Sequence, residues 1–134
     1  MRSEINGRVA GAVAAGGALG ALARYGLEVA LPAEPGHFPW ATFVTNVSGC
    51  FLIGLLMVIV AERWQAYPLV DPFLGVGVLG GYTTFSTYTT DVQRLTEAGA
   101  ARTALLYLAG TLLAALLAAY LGRVVMTVAL RSAR

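Results

Sequence analysis

Charge is scarce in this chain. Only 12% of its 134 residues are charged, 57% are hydrophobic, and the mean hydropathy is +0.71. A soluble domain carries about a quarter charged residues, so a globule surrounded by water is excluded and a membrane protein is expected. Lysine is absent, and a net charge of +2 arises from nine arginines against seven acids scattered along the sequence. No basic cluster of the kind that nucleic acid or anionic lipid requires is present, so no nucleic-acid partner is expected. A single cysteine, Cys50, and a single histidine, His37, exclude an intrachain disulfide and a zinc site of the usual four-ligand spacing. Most enzyme chemistry goes with them, and the chain does not read as an enzyme.

What remains is long uncharged sequence. Marking every Asp, Glu and Arg leaves four windows, 9–23, 35–61, 72–90 and 103–122. A helix needs about 20 residues to cross the hydrocarbon; the last three windows qualify alone and the first qualifies by extending past Arg24. The sequence predicts an all-α membrane protein of one domain, residues 1–134, with spans near 8–30, 38–61, 71–94 and 101–125 and short connections. Arg2, the alanine-rich run and the Ala21-Leu22-Ala23 triplet imitate a secretory signal. The pairs Gly7/Gly11 and Gly16/Gly20 favour instead a retained helix that packs closely through small residues.

Four spans put both termini on one side. Arg2, Arg8, Arg63, Arg123, Arg131 and Arg134 then lie with the termini and Arg24, Arg94 and Arg102 lie opposite, which favours termini in the cytoplasm.

The third window carries the chemistry. From Tyr82 to Thr90 every residue except Phe85 bears a hydroxyl, and Gly80-Gly81 precede them. Threonine and tyrosine are indifferent helix formers and each glycine costs roughly 1 kcal/mol relative to alanine, so this helix is expected to break near its middle. The alternative is a continuous helix whose Ser and Thr side chains bond back to the carbonyl four residues earlier. Irregular backbone at membrane depth is tolerated only inside protein or along a polar cavity. In the second span Thr42, Asn46 and Gly49 share a face with Thr45 beside them, and in the fourth Thr103, Tyr107 and Thr111 rise at i+4 steps. Asn46 alone could be helix–helix glue. Three converging tracks of neutral donors point instead to a permeation path.

No acid lies in the second, third or fourth window, so a cation gains only neutral dipoles there and a proton-coupled carrier lacks its carboxylate. Hydroxyl and amide protons can replace water around a small hard anion, and aromatic edges carry positive quadrupole density. An anion path fits best.

The stretches beginning Gly17-Ala18-Leu19-Gly20 and running to Arg24-Tyr25, Thr42-Phe43-Val44-Thr45-Asn46-Val47-Ser48-Gly49, and Gly80-Gly81-Tyr82-Thr83-Thr84-Phe85-Ser86-Thr87 resemble the signatures of the Fluc-type fluoride channels. The third is the most specific. The resemblance implies an antiparallel dimer of four-helix subunits with two fluoride pathways and a central, structural Na+, in the inner (cytoplasmic) membrane of a microbe. The family's pore asparagine falls on Asn46 and its threonine one turn earlier on Thr42. The two pore phenylalanines fall on Phe85 and on Tyr88, where this chain departs from Phe; Ser86 belongs to the same stretch. The polar track of the fourth helix falls on Tyr107 and Thr111 and ends early, at Ala115. The sodium ligands, backbone carbonyls, map to Gly80 and Thr83. Arg24 matches an arginine near the end of the first helix, where it either attracts anions or snorkels to the interface and pairs with Glu28. Expected partners are fluoride, membrane lipid and a second copy of the chain. A small multidrug-type four-helix exporter would need a membrane-embedded carboxylate, for which Glu28 is the nearest candidate. A non-transporting subunit of a membrane complex would leave the donor tracks unexplained.

Overall fold

The computed structural model describes residues 2–133, and of residues 2–6 the backbone alone; Arg134 and the Arg2 side chain, counted above for orientation, lie outside the described residues. Helix α1 runs over Arg2–Ala30 and α2 over Trp40–Glu62. Helix α3 is a π-helix over Asp71–Leu79 that continues as one α-turn over Gly80–Tyr82. Helices α4, Phe85–Glu97, and α5, Ala101–Ser132, complete the chain. The described residues are all helix and connection, without a strand.

Local chemistry sets the boundaries. Pro32, Pro35 and Pro39 hold the first connection open, with Gly36 in the left-handed region at φ +76°. Pro72 opens α3 at its first turn, where the missing amide proton costs nothing. Helix α4 ends on Gly99 at φ +73°, whose amide donates to the Thr96 carbonyl while that of Ala100 donates to Leu95. This is a Schellman closure, and it turns the chain directly into α5.

With lipid outside, helices gain little from burying apolar surface against one another, and close backbone approach takes over. Glycine permits it along two seams. Between α1 and α3, a Cβ at Gly16 would collide with the Phe73 carbonyl oxygen, one at Gly20 with that of Val78, and one at Gly81 with that of Gly17. Between α2 and α5, a Cβ at Gly54 would collide with the Ala119 carbonyl oxygen and one at Gly122 with that of Phe51. Gly7 and Gly11 have no atom within 4 Å of their would-be Cβ positions, so the close packing expected of both α1 pairs is realised at Gly16/Gly20 alone.

The exterior is apolar. Leu106, Leu113, Leu116 and Leu117 of α5 and Met57 of α2 are all exposed, and α2 and α5 are, among the described helices, the two long and apolar enough to cross a membrane. At 1.5 Å per residue α5 is about 48 Å long, more than the hydrocarbon thickness. One cluster of buried side chains, Tyr88, Leu95, Ala104 and Tyr107, packs with Phe38 and Phe43. Phe38 meets the Tyr107 ring edge-on at 5.3 Å between centroids.

Gly20→Val should therefore lower stability by about 1–3 kcal/mol or more through overpacking, whereas Gly11→Ala should be neutral or slightly stabilising. Thermal unfolding in detergent reads the difference. Equal losses at the two positions would deny the α1–α3 seam its special role.

Candidate functional site

Between α3 and α4 the backbone leaves the helix for two residues: Thr83 has φ −76° and ψ 153°, Thr84 φ −147° and ψ 124°. These are extended conformations that β-branched residues favour. Gly80, two residues before Tyr82, keeps helical dihedrals of −65° and −36°. Two of the amides that the interruption frees are taken up by side chains. The Thr84 amide donates to Asn46 Oδ1 at 2.8 Å, and Asn46 Nδ2 donates to the Thr84 carbonyl at 2.9 Å. The Thr87 amide donates to Thr84 Oγ1 at 3.1 Å, an N-cap for α4. Ser48 and Tyr82 hydroxyls meet at 2.9 Å, and a Cβ on Gly49 would strike the Thr83 methyl, so α2 lies directly against the interruption.

The four carbonyls from Gly80 to Thr83 lose their helical partners in this arrangement, those of Gly80 and Thr83 because the amides that would serve them are engaged elsewhere. In a continuous helix the Thr84 amide would serve the Gly80 carbonyl and the Thr87 amide that of Thr83. Both amides instead donate to side chains. Gly80 itself is exposed, its would-be Cβ no closer than 3.8 Å to the Gly75 carbonyl oxygen.

A cleft of about 210 Å³ opens beside the interruption, lined by Asn46, Cys50, Thr83, Thr84, Phe85, Tyr88, Thr111, Leu112 and Ala115. The structure thus brings Asn46, Phe85, Tyr88 and Thr111 together. Phe85 stands 77% exposed on the rim, its ring 5.8 Å from that of Tyr88. The Tyr88 hydroxyl donates to the Leu108 carbonyl at 2.5 Å, so the atom that distinguishes it from phenylalanine is committed to α5. Thr111 is buried and its hydroxyl has no hydrogen-bond partner. Ser86 is exposed, its hydroxyl 3.3 Å from that of Thr84. Arg24 lies on α1, away from these cleft residues, with a buried Nε lacking a partner, and among the described residues no ion pair joins it to Glu28.

Thr42 and Tyr107 face a different group. Both hydroxyls donate to Asp91 Oδ2, at 2.7 and 3.2 Å, and Asp91 is only 6% exposed. Arg94 approaches its other oxygen at 4.0 Å from a largely solvent-facing position. This corrects the expectation that the inner faces hold no acid. Asp91 is the residue at which the third uncharged window stops, and α4 continues past it to Glu97, turning the carboxylate inward. Cys50, read from sequence as an ordinary small residue of a span, lines the cleft. Neither position carried a signal apart from its helical spacing, Cys50 at i+4 from Asn46 and Asp91 at i+3 from Tyr88.

The profile of the family described as CrcB-like protein, Camphor Resistance (CrcB), matches residues 11–123. The chain belongs to this CrcB-like family. The match spans every cleft residue and Asp91. Among curated family members, the chain is 58% identical to fluoride-specific ion channel FluC 2 of Nocardia farcinica over 83% of this chain and 79% of that protein. It is 54% identical to fluoride-specific ion channel FluC 2 of Streptomyces avermitilis over 78% and 66%. It is 50% identical to fluoride-specific ion channel FluC 1 of Streptomyces coelicolor over 84% and 73%. Ion-channel relatives and an apolar helical exterior agree on a membrane protein.

The Asn46 bridge generates a stability prediction. Asn46→Leu leaves the Thr84 amide unpaired, at about 1–3 kcal/mol for a buried group, and Thr84→Val, which removes the cap, should cost about 1 kcal/mol. Melting midpoints in detergent should fall in that order. If Asn46→Leu melts with the wild type, the side chain does not brace the interruption.

Proposed function

We propose that this CrcB-like protein is a passive, fluoride-selective channel that lets cytoplasmic fluoride leave a bacterial cell. The observation that carries the reading is the cleft itself: its lining offers an amide, hydroxyls and two aromatic rings, and no ionised side chain. An isolated ion in a dry interior costs tens of kcal/mol. Neutral donors and ring edges can offset that cost in small steps, whereas a fixed cation would hold the anion in place. The names of the relatives supply the ion. Fluoride entering an acidified cell as the neutral acid dissociates at cytoplasmic pH, and a negative-inside potential drives the anion out without a coupled ion.

In this reading α3 and α4 form one interrupted third span, with α1, α2 and α5 as the other three. Asn46, Phe85, Tyr88 and Thr111 line the path, with Ser86 at its rim. Thr42 and Tyr107 hold Asp91 at one end, and Arg24 attracts anions from the surroundings. The exposed ring of Phe85 and the open face at Gly80 suit an antiparallel second copy that completes two pathways. The Gly80 and Thr83 carbonyls, deprived of their i+4 amides, are the oxygen donors that a hard cation prefers. Symmetry-related pairs of them would hold a structural Na+ on the two-fold axis.

Liposomes holding the purified protein should release fluoride electrogenically, with chloride release far slower. Phe85→Ile should cut fluoride flux by an order of magnitude or more with the dimer intact, since isoleucine keeps apolar bulk and removes the ring edge. Efflux that needs a proton gradient while a potassium ionophore clamps the potential would replace the channel with a carrier.

For sodium, Thr83→Ala should leave the ion bound after purification, because the ligating carbonyl survives the substitution. Elemental analysis of the dialysed dimer measures this. Loss of sodium in that variant would assign the ion to side-chain oxygens instead.

A further inference from the structure

Two cavities flank α4 and share no lining residue. The cleft beside the interruption takes Phe85 and Tyr88 from α4. The second, of about 280 Å³, lies against the first connection; its lining includes Glu34, Pro35 and His37 together with Asp91, Arg94 and Leu95 of α4. Glu34, His37 and Arg94 are exposed, so this cavity is open to solvent. Tyr88 and Asp91 are three residues apart on the buried face of α4, about 4.5 Å along its axis. The wall between the cavities is therefore thin.

That wall is aromatic. The Tyr88 and Tyr107 rings are 5.3 Å apart between centroids, and Tyr107, 0% exposed, donates its hydroxyl to Asp91. Tyr88 thus borders the cleft and touches Tyr107, with Asp91 next in line. A tyrosine ring turns on two side-chain torsions, and here its far end is tied, the hydroxyl donating to the Leu108 carbonyl at 2.5 Å. The carbonyl does not depend on this bond. Leu108 lies inside α5, where its oxygen is placed to accept the Leu112 amide and has a second lone pair to offer. The bond holds the ring without rescuing a backbone group.

We infer that the Tyr88 hydroxyl fastens its ring across the passage from the cleft to the Asp91 cavity, making Tyr88 the residue that limits how fast fluoride crosses this chain. The inference rests on the fluoride-channel reading and deepens it, from a set of lining groups to the one that sets the rate. An anion moving from the cleft toward solvent at Arg94 meets this ring first, and the ring must swing off Leu108 to let it by. Each departure breaks the bond to α5, so the hydroxyl lowers the population of the open arrangement. Beyond the ring, two donated hydroxyls and Arg94 offset the charge of Asp91.

The test is fluoride flux from liposomes, normalised to folded protein, with melting in detergent as the second readout. Tyr88→Phe keeps the ring and removes only the hydroxyl. Flux should rise about two- to tenfold, the factor by which one hydrogen bond of ordinary net strength shifts a two-state equilibrium, while the melting midpoint stays equal or falls slightly. A purely structural bond would lower the midpoint and leave flux unchanged, and a hydroxyl that binds the passing ion would make flux fall. Either result overturns the inference while wild-type efflux still stands. Replacing Tyr88 by a tyrosine fluorinated beside its hydroxyl keeps the bond and strengthens the donor, so flux should drop below wild type. This second replacement decides the matter if Tyr88→Phe does not fold, and undiminished flux in it likewise overturns the inference. Absence of fluoride efflux from both the wild type and Tyr88→Phe overturns the channel reading itself.

Discussion

The pairing of Asn46 with the backbone of Thr84 is the interaction on which the rest of the site depends. One amide side chain takes over the Thr84 amide, which has left its helical partner, and adds a second bond to the Thr84 carbonyl. Without it, the Thr84 amide would be buried and unpaired, at about 1–3 kcal/mol. With it, the Thr84 side chain is positioned to cap α4, and the Gly80 and Thr83 carbonyls are released. Phe85 then begins α4 on the rim of the cleft rather than continuing the line of α3. A single side chain thus braces the point where the helix stops and resumes.

That bridge requires α2 to lie close to the interruption, and glycine makes the approach possible. Gly49 admits the Thr83 methyl, while Gly16, Gly20 and Gly81 draw α1 onto the other side of α3. Every one of these contacts is backbone against backbone or against a methyl, the kind of packing that holds helices together where water cannot. The π-helical stretch of α3 belongs to the same seam: Gly77 lies within it and its would-be Cβ is 2.9 Å from Gly16 Cα. The interruption is therefore enclosed by the elements least able to tolerate a larger side chain.

Much of this was readable from residue order. The uncharged windows locate the helices because charge is excluded from their interiors, and i+4 spacing brought Asn46, Thr111 and the Phe85 segment together as candidates. Helix composition could not say which face of a hydroxyl-rich segment is used internally. Thr42 and Tyr107 look like free donors until Asp91, one residue past an uncharged window, turns inward to receive both. Gly80-Gly81 look like the point of rupture because glycine is a poor helix former, yet both stay helical, Gly81 spending its missing Cβ on contact with Gly17 while Gly80 is exposed, and the extended pair is Thr83 and Thr84. The π-helix over Asp71–Leu79 left no mark in the sequence beyond its glycines.

A buried carboxylate so near the cleft sets a constraint of its own on the proposed anion path. Unit charges about 4 Å apart repel by roughly 4 kcal/mol even at an effective dielectric of 20, so an anion cannot sit against Asp91 unless its charge is offset. Two donated hydroxyls spread that charge, and Arg94 lies 4.0 Å from the second oxygen. The cost is that Thr42 and Tyr107 have no proton left for a passing ion. Donors for an anion in the cleft would then be sought at Asn46, which keeps a second amide proton, and at Thr111, whose hydroxyl has no partner.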